Sequence, residues 1–304
     1  MQKSYKASLI GLTLVMAMIS AACSSGDDAA TTTTAATATT VVEAATTTVA
    51  FDLNASVDEY LSAIPEGFLA VGDLDAFKEG AEASGALLID VRTTDEYTEG
   101  HIPGAVNIPL RTLAANLDKV PTDRQIYVYC QSGFRAGQAL SSLGMLGYDN
   151  VLSYKPGWAG WTEADQEVST EAAEAEVVGA PEIEPALLTA VDGYLSTIPE
   201  GFLSAGKPEN VQEAADAGTA LIDVRTAGEY AEGYIEGATN IDLRNIAKEI
   251  DAVPTDANVI TYCGSGHRSA MAVAALHVLA AENVKGYGGS YASLVDGGLP
   301  VTTP

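Results

Sequence analysis

The chain of 304 residues is poor in cysteine, histidine, basic residues and aromatics. Its 3 cysteines are too few for a disulfide framework or a four-thiolate zinc site. Its 3 histidines offer little to a histidine-rich centre, and no metal or organic cofactor is expected. The 15 Lys and Arg stand against 41 Asp and Glu, a formal net charge of −26. Such a surface repels polyanions, so no nucleic-acid partner is expected and no polybasic attachment to a membrane. Outside the N-terminus no apolar run approaches the ~20 residues that span a bilayer. What the chain does have is apolar residues, 47% of the total, enough for real cores. At roughly 100–200 residues per domain, its length suggests about two domains.

The first 22 residues read as a secretory signal. Lys3 and Lys6 precede an apolar stretch over 7–19, and small residues Ser20, Ala21 and Ala22 lead into Cys23. This order resembles a bacterial lipoprotein signal, although Ser20 stands where that family usually has Leu, Val or Ile. The resemblance implies cleavage before Cys23, a lipid on its sulfur and an extracytoplasmic protein held to the membrane through that lipid alone. Residues 23–52 are dominated by Thr and Ala. They cannot bury enough apolar area to offset their chain entropy, and they read as a disordered tether.

The remainder is one unit written twice. Tyr60-Leu61-Ser62 and Ile64-Pro65-Glu66-Gly67-Phe68-Leu69 return as Tyr194-Leu195-Ser196 and Ile198-Pro199-Glu200-Gly201-Phe202-Leu203. Leu88-Ile89-Asp90-Val91-Arg92-Thr93 returns as Leu221-Ile222-Asp223-Val224-Arg225-Thr226, and Glu96-Tyr97 as Glu229-Tyr230. Cys130 matches Cys263 at an offset of 133. The expected units are 53–165 and 187–304, joined by an acidic linker over 166–186. Short β-branched or aromatic-rich runs at 86–91, 105–108, 125–130 and 151–154 read as buried strands. Stretches 110–117 and 134–146 have helical spacing. This alternation predicts two α/β units, each a mainly parallel central sheet flanked by helices.

Two loops carry the chemistry. Cys130-Gln131-Ser132-Gly133-Phe134-Arg135 follows a strand and opens a helix, and so does Cys263-Gly264-Ser265-Gly266-His267-Arg268. Backbone N–H groups at a helix start lack intrahelical partners, and with the helix dipole they favour negative charge. Glycine at the fourth position lets the amides curl inward as a nest, and arginine at the sixth adds fixed positive charge. A cysteine at position one is therefore expected to favour its thiolate and act as a nucleophile. For one such cysteine a small buried hydrophobe would be an equal reading. The pattern occurs twice, in repeats that have otherwise drifted.

Each repeat resembles a rhodanese domain. The resemblance rests on the Asp-Val-Arg strand end, the Glu-Tyr-x-x-Gly-x-Ile-x-Gly-Ala-x-Asn-Ile run, the Cys-x-x-Gly-x-Arg loop, Gly147-Tyr148-x-Asn150-Val151 and Gly157-Trp158-x-x-Trp161. It implies a sulfurtransferase in which Cys130 and Cys263 carry sulfane sulfur as a covalent persulfide, between a small donor such as thiosulfate and a thiophilic acceptor such as cyanide. The amides of Gln131 to Arg135, and of Gly264 to Arg268, would stabilise the persulfide anion. Many two-domain members lack the first cysteine, whereas this chain keeps both, so both sites are expected to be competent.

Asp90, Arg92, Asp223 and Arg225 read as structural charged partners of the site wall. His101 reads as a loop-packing residue. His267 either favours the Cys263 thiolate when protonated or shapes access to it. Trp158 and Trp161 read as core or rim packing, and Arg111 and Arg244 face solvent or the pocket edge. A monomer is expected. Two readings from other classes stand beside this one. The first is a non-catalytic surface binding module, which a lost cysteine would have signalled. The second is a cysteine-dependent phosphatase or arsenate reductase, but there five residues separate cysteine from arginine and here four do.

Overall fold

The computed structural model describes residues 50–303. The signal segment, Cys23 and the tether as far as residue 49 lie outside the described residues. In the first repeat the short apolar runs form β1 (Ala70–Val71), β2 (Leu87–Asp90), β3 (Val106–Asn107), β4 (Ile126–Tyr129) and β5 (Val151–Tyr154). They lie in the order β1-β5-β4-β2-β3, and every neighbouring pair is parallel. Central β4 reads Ile-Tyr-Val-Tyr and is buried along its length, as a strand covered on both faces must be. The helices are α1 (Leu53–Ala63), α2 (Leu74–Ser84), α3 (Thr94–Glu99), α4 (Phe134–Met145) and α5 (Gly157–Glu163).

The second repeat has β6 (Ala220–Asp223), β7 (Tyr234–Ile235), β8 (Thr239–Asn240), β9 (Val259–Tyr262), β10 (Val284–Gly286) and β11 (Val301–Thr302). Four of these form a parallel sheet in the order β10-β9-β6-β8, while β7 pairs antiparallel with β11. Its helices are α6 (Pro185–Thr197), α7 (Pro208–Asp216), α8 (Ala227–Ala231), α9 (His267–Val278) and α10 (Tyr291–Asp296). Both repeats are thus α/β with a parallel central sheet flanked by helices.

Local chemistry sets the helix starts. Asp52 and Asp73 cap α1 and α2 by accepting from the Ala55 and Ala76 amides. Thr93–Glu96 and Thr226–Glu229 form capping boxes at α3 and α8. The helix expected over 110–117 is instead two 3₁₀ turns, Leu110–Thr112 and Ala114–Lys119. Asn116 leaves helical geometry at φ −123°. Its side-chain amide donates to the Thr112 carbonyl at 2.8 Å, a local bond that competes with the helical ladder.

The repeats share one continuous core. Helices α4 and α9 cross at its centre, and both are buried almost throughout. They approach closely at Gly137, where an added Cβ would lie 2.9 Å from that of Ala270. The first helix of each repeat lies on the other repeat: α1 packs on the turn Leu243–Asn245, and α6 on Leu110–Thr112. Each of these helices ends in a turn with unusual backbone. Phe68 and Leu69 have φ of 54° and 55°, and Phe202 and Leu203 have φ of 54° and 61°. Left-handed geometry costs a non-glycine residue about 1–2 kcal/mol. The 166–186 segment is tied along the first repeat. Ser169 and His101 exchange two main-chain bonds of 2.9 Å, and the Ala173 amide donates to the Tyr97 hydroxyl at 3.1 Å.

Candidate active site

Cys130 follows the last residue of β4, and Gly133 caps α4 with φ 91°. Cys263 stands in the same relation to β9, and Gly266 caps α9 with φ 80°. Glycine is required at both caps for two reasons. The positive φ suits only glycine at low cost. A Cβ would also run into the Lys155 carbonyl at Gly133, and into the Gly288 carbonyl at Gly266. Both cysteines are buried free thiols. The second and third loop residues, Gln131 and Ser132 or Gly264 and Ser265, are exposed, and the remaining loop residues are buried.

One backbone amide reaches each sulfur, from within the expected loop at Cys130 and from the residue just after it at Cys263. The Gly133 N–H donates to Cys130 Sγ at 3.2 Å, and the Ser269 N–H to Cys263 Sγ at 3.4 Å. From behind, the Cys130 and Gln131 carbonyls accept from the Trp158 and Ala159 amides of α5 at 2.8 and 2.9 Å, and the Cys263 carbonyl accepts from Tyr291 at 2.9 Å. Each loop is thus pinned between a strand end and a following short helix.

The loop arginines are already engaged. Arg135 meets Glu96 through two bonds of 2.6 Å, and Arg268 meets Glu229 at 2.6 and 2.7 Å. These glutamates also accept from Thr93 and Thr226 in the capping boxes, so one carboxylate ties a helix start to a cysteine loop. The hydrogen-bonded guanidinium holds the carboxyl of Glu96, and likewise of Glu229, down to about 2. Glu96 and Glu229 were visible in the sequence only as repeated letters. The Thr-x-x-Glu capping pattern was the signal that could have singled them out.

Asp90 and Arg92 form a fully buried pair, with Arg92 also donating to the Gly100 carbonyl at 2.7 Å. Asp223 and Arg225 repeat it, with Gly233 as the carbonyl. Trp158 covers Arg92 at 4.7 Å, and Tyr291 covers Arg225 at 4.0 Å. These pairs brace the strand ends beside the cysteines, and their hydrogen bonds do not go to the cysteine loops.

His101 stacks on Tyr97, and its ring nitrogens meet the Tyr97 and Glu171 carbonyls. His267 is buried, with Nε2 3.1 Å from the Phe68 carbonyl of the first repeat. Burial pushes it down to about 4. It is therefore neutral at pH 7, and of its two readings the charged one does not fit this environment.

The repeats meet over the loops. Arg111 donates to the Ile198 and Pro199 carbonyls at 2.7 and 2.8 Å. Arg244 donates to Ile64 and Pro65 at 2.9 and 3.4 Å. The Phe202 ring lies between Arg111 and Arg135, its centroid 4.6 and 4.7 Å from their Cζ atoms. The Phe68 ring lies between Arg244 and Arg268 at 4.8 and 4.6 Å. A cavity of about 270 Å³ reaches Cys130 and is walled by Phe134 and Arg135 on one side and Gly201, Phe202 and Ser204 on the other. Larger grooves of about 730 and 680 Å³ lie in the second repeat and contain neither cysteine. Among the described residues, no three His, Cys, Asp or Glu side chains cluster as metal ligands, and no helix is long and apolar enough to cross a membrane.

A family model described as a rhodanese-like domain matches residues 73–164 and again 207–300. The chain is 36% identical over 81 residues to a sulfurtransferase of Allochromatium vinosum, covering 27% of this chain and 76% of that protein. It is 32% identical over 84 residues to a thiosulfate sulfurtransferase of Shewanella oneidensis, 28% of this chain and 83% of that protein. Over 255 residues it is 26% identical to the 3-mercaptopyruvate sulfurtransferase of Escherichia coli, 66% of this chain and 83% of that protein.

Proposed function

The chain belongs to the rhodanese-like domain family, and we propose that it transfers sulfane sulfur through persulfides on Cys130 and Cys263. The observation that carries this reading is the paired arrangement of a buried sulfur facing a backbone amide at a helix start, at Cys130 and again at Cys263. The similarity to sulfurtransferases supports it.

With thiosulfate as donor, the cysteine thiolate attacks the outer sulfur. The sulfur–sulfur bond of thiosulfate breaks, and sulfite leaves with the bonding pair. The enzyme then holds a cysteine persulfide with its negative charge on the terminal sulfur. Cyanide or a thiolate attacks that sulfur, the persulfide bond breaks, and the cysteine thiolate returns. No outside oxidant or reductant enters. Charge stays on sulfur throughout, and inward-facing amides stabilise it without reorganising. Glu96 and Glu229 take only two N–H groups each from Arg135 and Arg268, so those guanidiniums shape the loops and their positive charge, beside Cys130 and Cys263, helps the amides hold the anion.

One chain suffices, because both loops are walled by repeats of the same chain. No cofactor is part of this scheme. The lipoprotein-type N-terminus supports an extracytoplasmic enzyme anchored at Cys23, and Cys23→Ala should move it from the membrane fraction to the soluble fraction. Thiocyanate formation from thiosulfate and cyanide tests the chemistry. Cys130→Ser and Cys263→Ser should each keep part of the rate and the double variant none. An inactive wild-type protein with both thiols free would overturn the proposal.

A further inference from the structure

The segment that carries Phe68 and Phe202 is better preserved between the repeats than the cysteine loops are. Across residues 59–69 and 193–203, 9 of 11 positions are identical, against 4 of 6 in the cysteine loops. Sulfur chemistry at the cysteines does not by itself call for this segment. The leucine carbonyls join the sheet of their own repeat, Leu69 accepting from Ser153 and Leu203 from Gly286, but the rings lie on the other repeat: Phe202 stands on Arg135 of the first repeat, and Phe68 on Arg268 of the second.

The placement is held from several sides. Phe202 and Phe68 adopt left-handed backbone, each followed by a leucine that does the same, an arrangement that persists only where the surroundings fix it. Arg111 and Arg244 supply that fixing by gripping the two carbonyls just before each turn. Each ring is then clamped between two guanidiniums of the other repeat. In the first site the ring forms a wall of the cavity that reaches Cys130.

Resting on the sulfur-transfer reading, we propose that Phe202 selects what reaches Cys130 and Phe68 what reaches Cys263, each across the boundary between repeats. The ring covers the loop arginine, while the glutamate takes two of its N–H groups. What remains open to a substrate at Cys130 is the cavity of about 270 Å³, lined by Gln131, Ser132, Phe134, Arg135, Phe202 and Ser204. That lining fits small sulfur species and cyanide, and it rejects bulky thiols by size. Phe202 and Phe68 are specificity-determining residues and take no part in bond making.

Site-resolved labelling of the full chain tests the assignment. Cysteine peptides are quantified by mass spectrometry after treatment with iodoacetamide or with a maleimide carrying a polyethylene-glycol chain. Phe202→Ala should speed bulky labelling of Cys130 by about tenfold relative to iodoacetamide, the scale at which a pocket discriminates by size. Labelling of Cys263 should stay within about twofold of the wild type. Phe68→Ala should do the reverse. Phe202→Leu should lie between wild type and alanine, and Phe202→Trp should slow bulky labelling of Cys130 further, which keeps the test open if the alanine variant does not fold. Acceleration of Cys263 by Phe202→Ala would overturn the proposal, as would equal acceleration of both cysteines by both reagents, or no change at either. Labelling does not depend on turnover. A crossed pattern without thiocyanate formation would therefore sink the sulfur-transfer reading and leave the gate, whereas thiocyanate formation without the crossed pattern would sink only the gate.

Discussion

The two cysteine loops share a polar frame and differ in their apolar filling. In both, a positive-φ glycine starts the helix, a glutamate holds the loop arginine through two short bonds, and an Asp–Arg pair braces the strand end. The fifth loop residue differs, Phe134 against His267, and so does the amide that meets sulfur, Gly133 against Ser269. Behind the first sheet, Phe77 stacks on Tyr154 at 4.1 Å and meets Tyr127 and Trp161 edge-on. The second repeat has Val211, Ile260 and Leu294 in the corresponding cluster. Apolar packing is non-directional and tolerates such exchange when volume is compensated. Bidentate bonds and left-handed caps tolerate almost none, which is why the frame is what both halves retain.

Breaking the frame should cost most. Gly133→Ala forces a Cβ into the Lys155 carbonyl at positive φ and should lower stability by about 3 kcal/mol in urea unfolding. Gly266→Ala should match it against Gly288. A small effect at one glycine only would mean that the two caps are not equivalent.

Glu96→Gln and Glu229→Gln come next. Each leaves a largely buried guanidinium short of its charge partner and should cost about 1–3 kcal/mol, between the exposed and buried limits for ion pairs. In a Cys263→Ser background Glu96→Gln should slow transfer by Cys130. In a Cys130→Ser background it should leave transfer by Cys263 nearly unchanged.

Acid unfolding separates the loops more finely. Burial lowers His267 to about 4 from 6.5, so the unfolded chain takes up that proton first. Its contribution to stability falls as pH drops below 6.5, and the loss is complete near 4. Burial also lowers His277, which acts in the same direction. Glu96 and Glu229 are lowered to about 2 from 4.5, so their contribution is present above 4.5 and is lost towards 2. His267→Phe, which gives the second loop the residue of the first, should shrink the arm between pH 6.5 and 4 and leave the lower arm in place. An unchanged upper arm would remove His267 from the account.

The smallest expected effect is that of salt. The net charge of −26 repels anionic donors at long range, so moderate inert salt should raise the thiosulfate rate slightly. A steep fall would contradict this.

Strands and cysteine loops were legible because their signals are local. The 151–154 run is β5 to the residue, and the helix expected to start at Phe134 does so. The stretch at 110–117 misled because apolar spacing reports burial, while Asn116 breaks the ladder through a bond to Thr112. The role of Phe68 and Phe202 was hidden for a different reason. Hydrophobic pattern says that a ring is covered, not which part of the chain covers it, and here the partner lies in the other repeat. Arg111 and Arg244 were placed between solvent and the pocket edge by the same ambiguity. The structure puts each on a ring of the opposite repeat.

The most direct measurement is the sulfur content of the two cysteine peptides after the protein has been incubated with thiosulfate and freed of it. The account predicts one added sulfur atom on the Cys130 peptide and one on the Cys263 peptide, each removed by cyanide. Sulfur on a single peptide would contradict the equivalence of the two loops, and sulfur on neither would contradict transfer through a cysteine persulfide.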